Sequence, residues 1–167
     1  IRIGIIGVGN MGSAHANCIG NGEIDGMVLA AVCDIDQKRT DKYIESGSGI
    51  AVFQNYEELL QSKVIDAVLI AVPHRLHAKI AIEALEAGLH VLSEKPADIR
   101  VSQAEQLNEV AKKSGKVFGI MFNQRTNPLF QKAREIVQSG ELGELKRSVW
   151  IVTNWYRAQR YYDSGDW

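Results

Sequence analysis

Short apolar runs alternate with stretches of helical period along residues 1–122, and few folds accept that alternation. The runs cover residues 2–6, 28–33, 51–53, 67–72, 90–92 and 117–122. Helical patterns fill the gaps at residues 11–20, 37–46, 56–61, 76–87 and 102–114. Ala67-Val68-Leu69-Ile70-Ala71-Val72 is apolar without a break, as suits a strand covered on both faces. Strand–helix repetition implies right-handed crossovers and a parallel sheet with helices on its faces. The expected fold class is therefore α/β with a doubly wound parallel sheet.

Hydrophobic residues make up 46% of the chain and charged residues 23%, enough apolar material for a core of that kind. The formal net charge of −1 gives no broad field to attract nucleic acid or an anionic membrane. No apolar run approaches the ~20 residues that span a bilayer. The first seven residues lack a basic leader and a small-residue cleavage site, so they read as a buried strand and not as a signal peptide. Cys18 and Cys33 form no C-x-x-C pair; both read as buried, reduced thiols of a cytoplasmic protein. Neither nucleic acid nor membrane is expected as a partner.

The first strand runs into Gly7-Val8-Gly9-Asn10-Met11-Gly12, a G-x-G-x-x-G pattern that opens a helix. That context gives each glycine a physical task. Gly7 permits the tight turn, Gly9 lets backbone approach a pyrophosphate, and Gly12 lets the helix pack close to the strand. The N–H groups of Asn10 and Met11 then lie at a helix N-terminus, where a diphosphate binds. A glycine-rich structural turn is the bland alternative. Asp34 ends the second strand 22 residues after Gly12, the place from which a carboxylate holds the ribose hydroxyls of NAD. Its charge opposes the 2′-phosphate of NADP, whereas Lys38 and Arg39 stand close enough to accept one, so NADP stays possible. Asp34 also fits a helix cap, although Asp36 suits that job better. The sheet is thus expected to be of the Rossmann type.

Ser93-Glu94-Lys95-Pro96 follows the fifth strand. Ligands of an open parallel sheet bind beyond the carboxyl ends of its strands, so Lys95 is placed to enter a nicotinamide site. There it can hydrogen-bond a reacting hydroxyl and share its proton. A surface ion pair of Glu94 with Lys95 explains the same two residues without chemistry.

The chain resembles the Gfo/Idh/MocA oxidoreductases, the glucose–fructose oxidoreductase and inositol dehydrogenase family. The likeness runs through Gly7 to Gly12 with His15, Ala71-Val72-Pro73 with His77, the stretch from Ala87 to Pro96, and Phe122-Asn123-Gln124-Arg125 with Pro128. It implies hydride transfer between nicotinamide and a hydroxyl-bearing carbon of a sugar, polyol or cyclitol. It assigns Lys95 a catalytic role and Glu94 a cofactor contact, and it sets Ala71, Pro73, His77, Pro96 and Asn123 beside the cofactor. His74 stands where many members have asparagine. Two other readings stay open on this fold: a glycosidase that uses NAD transiently, and a non-catalytic nicotinamide-binding sensor. Lys95 speaks against the sensor, which needs no base at the hydride site.

The pattern changes after Phe122. Asn127-Pro128 opens a helix over residues 129–139, a turn follows at 140–143, and residues 145–155 read as a long strand rich in β-branched and aromatic residues. Residues 1–122 are expected to form the NAD(P)-binding domain. Residues 123–167 are expected to hold the linker helix and first strand of a truncated second α/β domain. The family has an Asp-x-x-x-His pair in that domain, and none follows Asp163 or Asp166. The chain is therefore expected to be a fragment without most of its substrate pocket. The resemblance implies homo-oligomer formation through the complete second domain. His74 and His77, three residues apart, resemble a metal pair but have no third ligand, so no metal is expected. The aromatic tail of Trp155, Tyr156, Tyr161, Tyr162 and Trp167 suits either a sugar ring or packing under a sheet.

Overall fold

The computed structural model describes residues 1–153 and 156–163. The chain divides into two units, Ile1–Met121 and a second that begins at Phe122. The first unit holds six strands: β1 (Arg2–Ile6), β2 (Val28–Cys33), β3 (Ala51–Phe53), β4 (Ala67–Ile70), β5 (His90–Glu94) and β6 (Phe118–Met121). All pair in parallel, in the order β3-β2-β1-β4-β5-β6. The chain winds outward from β1 in one direction and then, from β4, in the other. The crevice between β1 and β4, at their carboxyl ends, is the topological switch point at which such sheets bind ligands.

Burial explains why the central strands are apolar throughout. Ile3, Ile5 and Ile6 of β1 and Val68, Leu69 and Ile70 of β4 are all buried, because helices cover both faces. Helices α1 (Asn10–Gly20) and α2 (Gln37–Glu45) lie on one side, where Ala16, Ile19 and Tyr43 pack with Ile3, Ile5, Val32 and Leu69. Helices α3 (Tyr56–Gln61), α4 (His77–Glu86) and α5 (Val101–Ser114) lie on the other. There Leu59, Ile80, Ala81, Leu85 and Leu107 pack with Ile6, Ala31, Val68, Ile70 and Val91.

β6 is one residue shorter at each end than its apolar run, and β4 and β5 end elsewhere than expected. β4 stops at Ile70, because Pro73 has no N–H to extend a ladder and a 3-10 turn, His74–Leu76, follows at once. β5 runs on through Ser93 and Glu94, which pair with Ile120 and Met121. Hydrophobic patterning stops at Leu92 and so conceals two buried polar residues. Cys33 is buried as expected, and burial, helped by the charges of Asp34 and Glu58, pushes its thiol up to about 12. Cys18 is only partly buried.

In the second unit, α6 (Pro128–Ser139) starts where Asn127 accepts a hydrogen bond from the Leu129 N–H at 2.9 Å, and ends at Gly140 with φ +83°. The strand expected over residues 145–155 is not found: residues 145–153 make no ladder, and residues 154 and 155 lie outside the described ones. A strand requires a neighbour for its backbone groups, and among the described residues of this unit no other strand exists. Trp150 rests instead against Phe130, ring centroids 5.4 Å apart. A short helix, α7 (Gln159–Tyr162), follows; Trp155, Asp166 and Trp167 fall outside the described residues. No helix among the described residues is long and apolar enough to cross a membrane.

Candidate functional site

The loop after β1 is built by contact. Gly7 has φ +87°, and a Cβ there would lie 2.5 Å from the Ala71 carbonyl oxygen. A Cβ on Gly12 would lie 1.8 Å from the Gly7 carbonyl oxygen, so α1 sits hard against the loop. Gly9 is different. It caps α1, and a Cβ on it would meet only the Arg39 guanidinium, at 3.5 Å. The space before Gly9 is thus open to a ligand and not filled by the chain. No side chain caps α1, and its first turn holds no acidic residue. The backbone donors of Asn10 and Met11 therefore face an anion's place with the positive end of the helix dipole behind them. Ser13 donates its hydroxyl to the Val8 carbonyl at 2.8 Å and fixes the loop from below.

Asp34 is 6% exposed at the end of β2. Its Oδ2 accepts from the Val8 N–H at 2.9 Å and its Oδ1 from the Asp36 N–H at 3.0 Å. The cap of α2 is Asp36, which accepts from the Lys38 N–H. Each Asp34 oxygen retains a lone pair, so the carboxylate ties the second strand end to the phosphate loop and can still accept a ribose hydroxyl. Arg39 lies 3.6 Å from both Asp34 and Asp36. These donors and acceptors fit a dinucleotide: an uncapped helix end for the diphosphate and a carboxylate for the ribose.

Glu94 and Lys95 do not form the surface ion pair that their spacing allows. Glu94 is buried, with Oε1 2.9 Å from His15 Nε2 and Oε2 accepting from the Lys95 backbone N–H at 3.3 Å. The Lys95 side chain is exposed and has no ion-pair partner among the described residues. His15 thus links helix α1 to the Glu-Lys-Pro segment. The sequence does carry a signal for it: His15 stands one helical turn after Gly12, on the face turned to the sheet.

His77 is the first residue of α4. It is 1% exposed, and both ring nitrogens meet backbone carbonyls: Nδ1 lies 2.6 Å from Pro96 O and Nε2 2.8 Å from Val72 O. His74 packs edge-on against it, ring centroids 5.7 Å apart. Burial, then the charges of His77 and Lys95, hold the His74 imidazole below its usual value. Among the described residues, no three His, Cys, Asp or Glu side chains cluster as metal ligands. Ala71 closes the loop from the β4 side, its N–H donating to the Ile6 carbonyl at 2.8 Å, and Pro73 is exposed just beyond it. Asn123 opens the turn Asn123–Thr126 of the second unit.

The profile of an oxidoreductase family with an NAD-binding Rossmann fold, Gfo/Idh/MocA, matches residues 1–122. Inositol 2-dehydrogenase of Corynebacterium glutamicum (strain R) is 34% identical over 146 residues, which is 87% of this chain and 43% of that protein. D-glucoside 3-dehydrogenase of Escherichia coli (strain K12) is 33% identical over 148 residues, 87% of this chain and 41% of that protein. Scyllo-inositol dehydrogenase of Lactobacillus casei, solved with bound NAD(H) and scyllo-inositol, superposes with a TM-score of 0.80 at 30% identity, over 86% of this chain and 42% of that one. The chain spans less than half the length of these relatives. On the matched residues, the loop and the sheet order together, it belongs to the Gfo/Idh/MocA oxidoreductase family, with that family's NAD-binding Rossmann fold.

Proposed function

We propose that this chain is the cofactor-binding part of an NAD-dependent dehydrogenase that oxidises a hydroxyl-bearing carbon of a polyol, cyclitol or sugar. One juxtaposition carries the reading. The open loop at Gly9, the Asp34 carboxylate and the exposed Lys95 all stand at the carboxyl ends of one parallel sheet. Bound NAD supplies the hydride acceptor. The chain's residues do the rest: Asn10 and Met11 hold the diphosphate, Asp34 the adenosine ribose, and Glu94 sets the peptide from which Lys95 reaches the substrate. Lys95 would hydrogen-bond the reacting hydroxyl and take part in its proton transfer. The relatives named for inositol and glucoside substrates support this class. Their greater length supports a substrate pocket and homo-oligomer contacts supplied by a further domain, and the two buried or half-buried thiols suit a cytoplasmic setting.

The function is tested with a protein of the relatives' full length, given NAD and a panel of inositols and glucosides, by the appearance of NADH. Turnover of at least one polyol is expected. Tight NAD binding with no turnover across the panel would favour the sensor reading instead.

Cofactor choice rests on Asp34. A carboxylate there repels a 2′-phosphate, and Arg39, the cation placed to accept it, is shared between Asp34 and Asp36. NADH is expected to bind this chain more tightly than NADPH. Asp34→Ala should weaken NADH binding by about 10- to 100-fold, the worth of hydrogen bonds to a charged group, and leave NADPH unchanged or tighter. Titration by nicotinamide fluorescence checks it; Asp34→Asn, which keeps an acceptor for the Val8 N–H, separates charge from loop support. Tighter NADPH binding by the unaltered chain overturns the assignment.

A further inference from the structure

β4 and β5 are neighbours in register up to Ile70 and Ser93. Beyond that point their ladder ends, and the two segments that leave it carry Pro73 and Pro96, which have no N–H. Among the described residues no backbone hydrogen bond outside the ladder joins the loop after β4 to the loop that bears Lys95. His77 does so. It is the first residue of α4, and its ring bridges the Val72 and Pro96 carbonyls at 2.8 and 2.6 Å.

Both partners are carbonyls, which only accept. A ring nitrogen without hydrogen would turn its lone pair toward a carbonyl lone pair and lose that hydrogen bond. Both bonds form together only when both nitrogens carry hydrogen. No carboxylate bonds to the ring among the described residues. His74 packs edge-on against the ring, the charge of Lys95 bears on His74 in turn, and the Glu94 carboxylate is engaged by His15 and the Lys95 N–H.

We propose that His77 is a positioning residue, which by donating from both ring nitrogens ties the Pro96 carbonyl to the loop after β4 and so fixes the peptide that carries Lys95. The Lys95 peptide is then held on two sides. Glu94 receives its N–H, and His77 holds the carbonyl of the next residue. This rests on the reading of Lys95 as the group at the hydride site.

The test has two arms. In the first, the 167-residue chain labelled with nitrogen-15 is observed by long-range proton–nitrogen correlation at neutral pH. Two slowly exchanging ring N–H signals are expected for His77, and a single one, the mark of a neutral tautomer, overturns the proposal. In the second arm, His77→Asn and His77→Gln, whose donor hydrogens all sit on one nitrogen and so cannot span the two carbonyls as the ring does, are placed in a protein of the relatives' full length. A 10- to 100-fold loss of kcat is expected, the cost of a misplaced catalytic group, with the NAD dissociation constant unchanged within about threefold. Wild-type kcat in a folded variant overturns the proposal. If neither variant folds, the spectrum of the unaltered chain decides. The failure of the Lys95 reading looks different: Lys95→Ala then retains turnover while both His77 N–H signals persist.

Discussion

Alanine in place of Lys95 is expected to lower turnover of the full-length protein by ~10²–10⁴-fold, the usual contribution of a positioned acid–base group, and to leave the fold intact. The second half of that expectation follows from the structure. The Lys95 side chain is exposed and engages no carboxylate among the described residues, so its truncation removes neither a buried contact nor an ion pair. Its backbone N–H, which Glu94 accepts, is unchanged by the substitution. Steady-state kinetics, with thermal unfolding and NAD titration beside them, check all three quantities. A fall in kcat with constant NAD affinity and constant unfolding temperature identifies a residue that acts on the reacting atoms. Near-normal turnover would make Lys95 a solvated surface cation.

Two glycines of the same loop are expected to behave in opposite ways. In Gly12→Ala the new Cβ has the Gly7 carbonyl at 1.8 Å, and backbone cannot yield as a side chain can. Helix α1 must move off the strand. Overpacking of this sort costs ~1–3 kcal/mol or more, and displacement of the helix end takes the diphosphate donors with it. Both the unfolding midpoint and NAD binding should fall. In Gly9→Ala the new Cβ meets only the Arg39 guanidinium, at 3.5 Å, and φ is −67°, open to any residue. The fold should lose no more than about 1 kcal/mol, the order of an unfavourable helix cap. NAD affinity should nonetheless fall by more than tenfold, because the methyl group occupies the space left for the diphosphate. Equal effects of the two substitutions on stability would contradict the division between a glycine required by the chain and one required by the ligand.

The G-x-G-x-x-G pattern already assigns these separate tasks to Gly9 and Gly12, and the structure adds the distances that make them differ. The fold itself was legible because its cause is local. A strand covered on both faces must be apolar throughout, and residues 67–70 show it. A helix must present one apolar stripe, and α1, α2, α4 and α5 lie within a few residues of where their patterns put them. Asp34 and Asp36 were separable for the same reason: one ends a strand and the other precedes a helix. Patterning failed where polar residues are buried, as at Ser93 and Glu94 of β5. It failed again over residues 145–153, where β-branched and aromatic content promises a strand but no partner strand is found among the described residues of that unit.

The roles of His15 and His77 lay further out of reach. Each depends on residues far away in the chain: His15 meets Glu94, 79 positions on, and His77 meets Pro96, 19 positions on. Hydrophobic period and turn chemistry are set by neighbours along the chain, so the sequence alone determined the strands, the helices, the phosphate loop and the kind of sheet they make. Which polar groups then meet at the strand ends is set by the order β3-β2-β1-β4-β5-β6 and by the depth to which each side chain is buried. That pairing, which gives Glu94 to His15, frees Lys95 for solvent and brings His77 to the Pro96 carbonyl, was decided only by the tertiary structure, because a hydrogen bond across a fold needs both partners in place before either can be assigned.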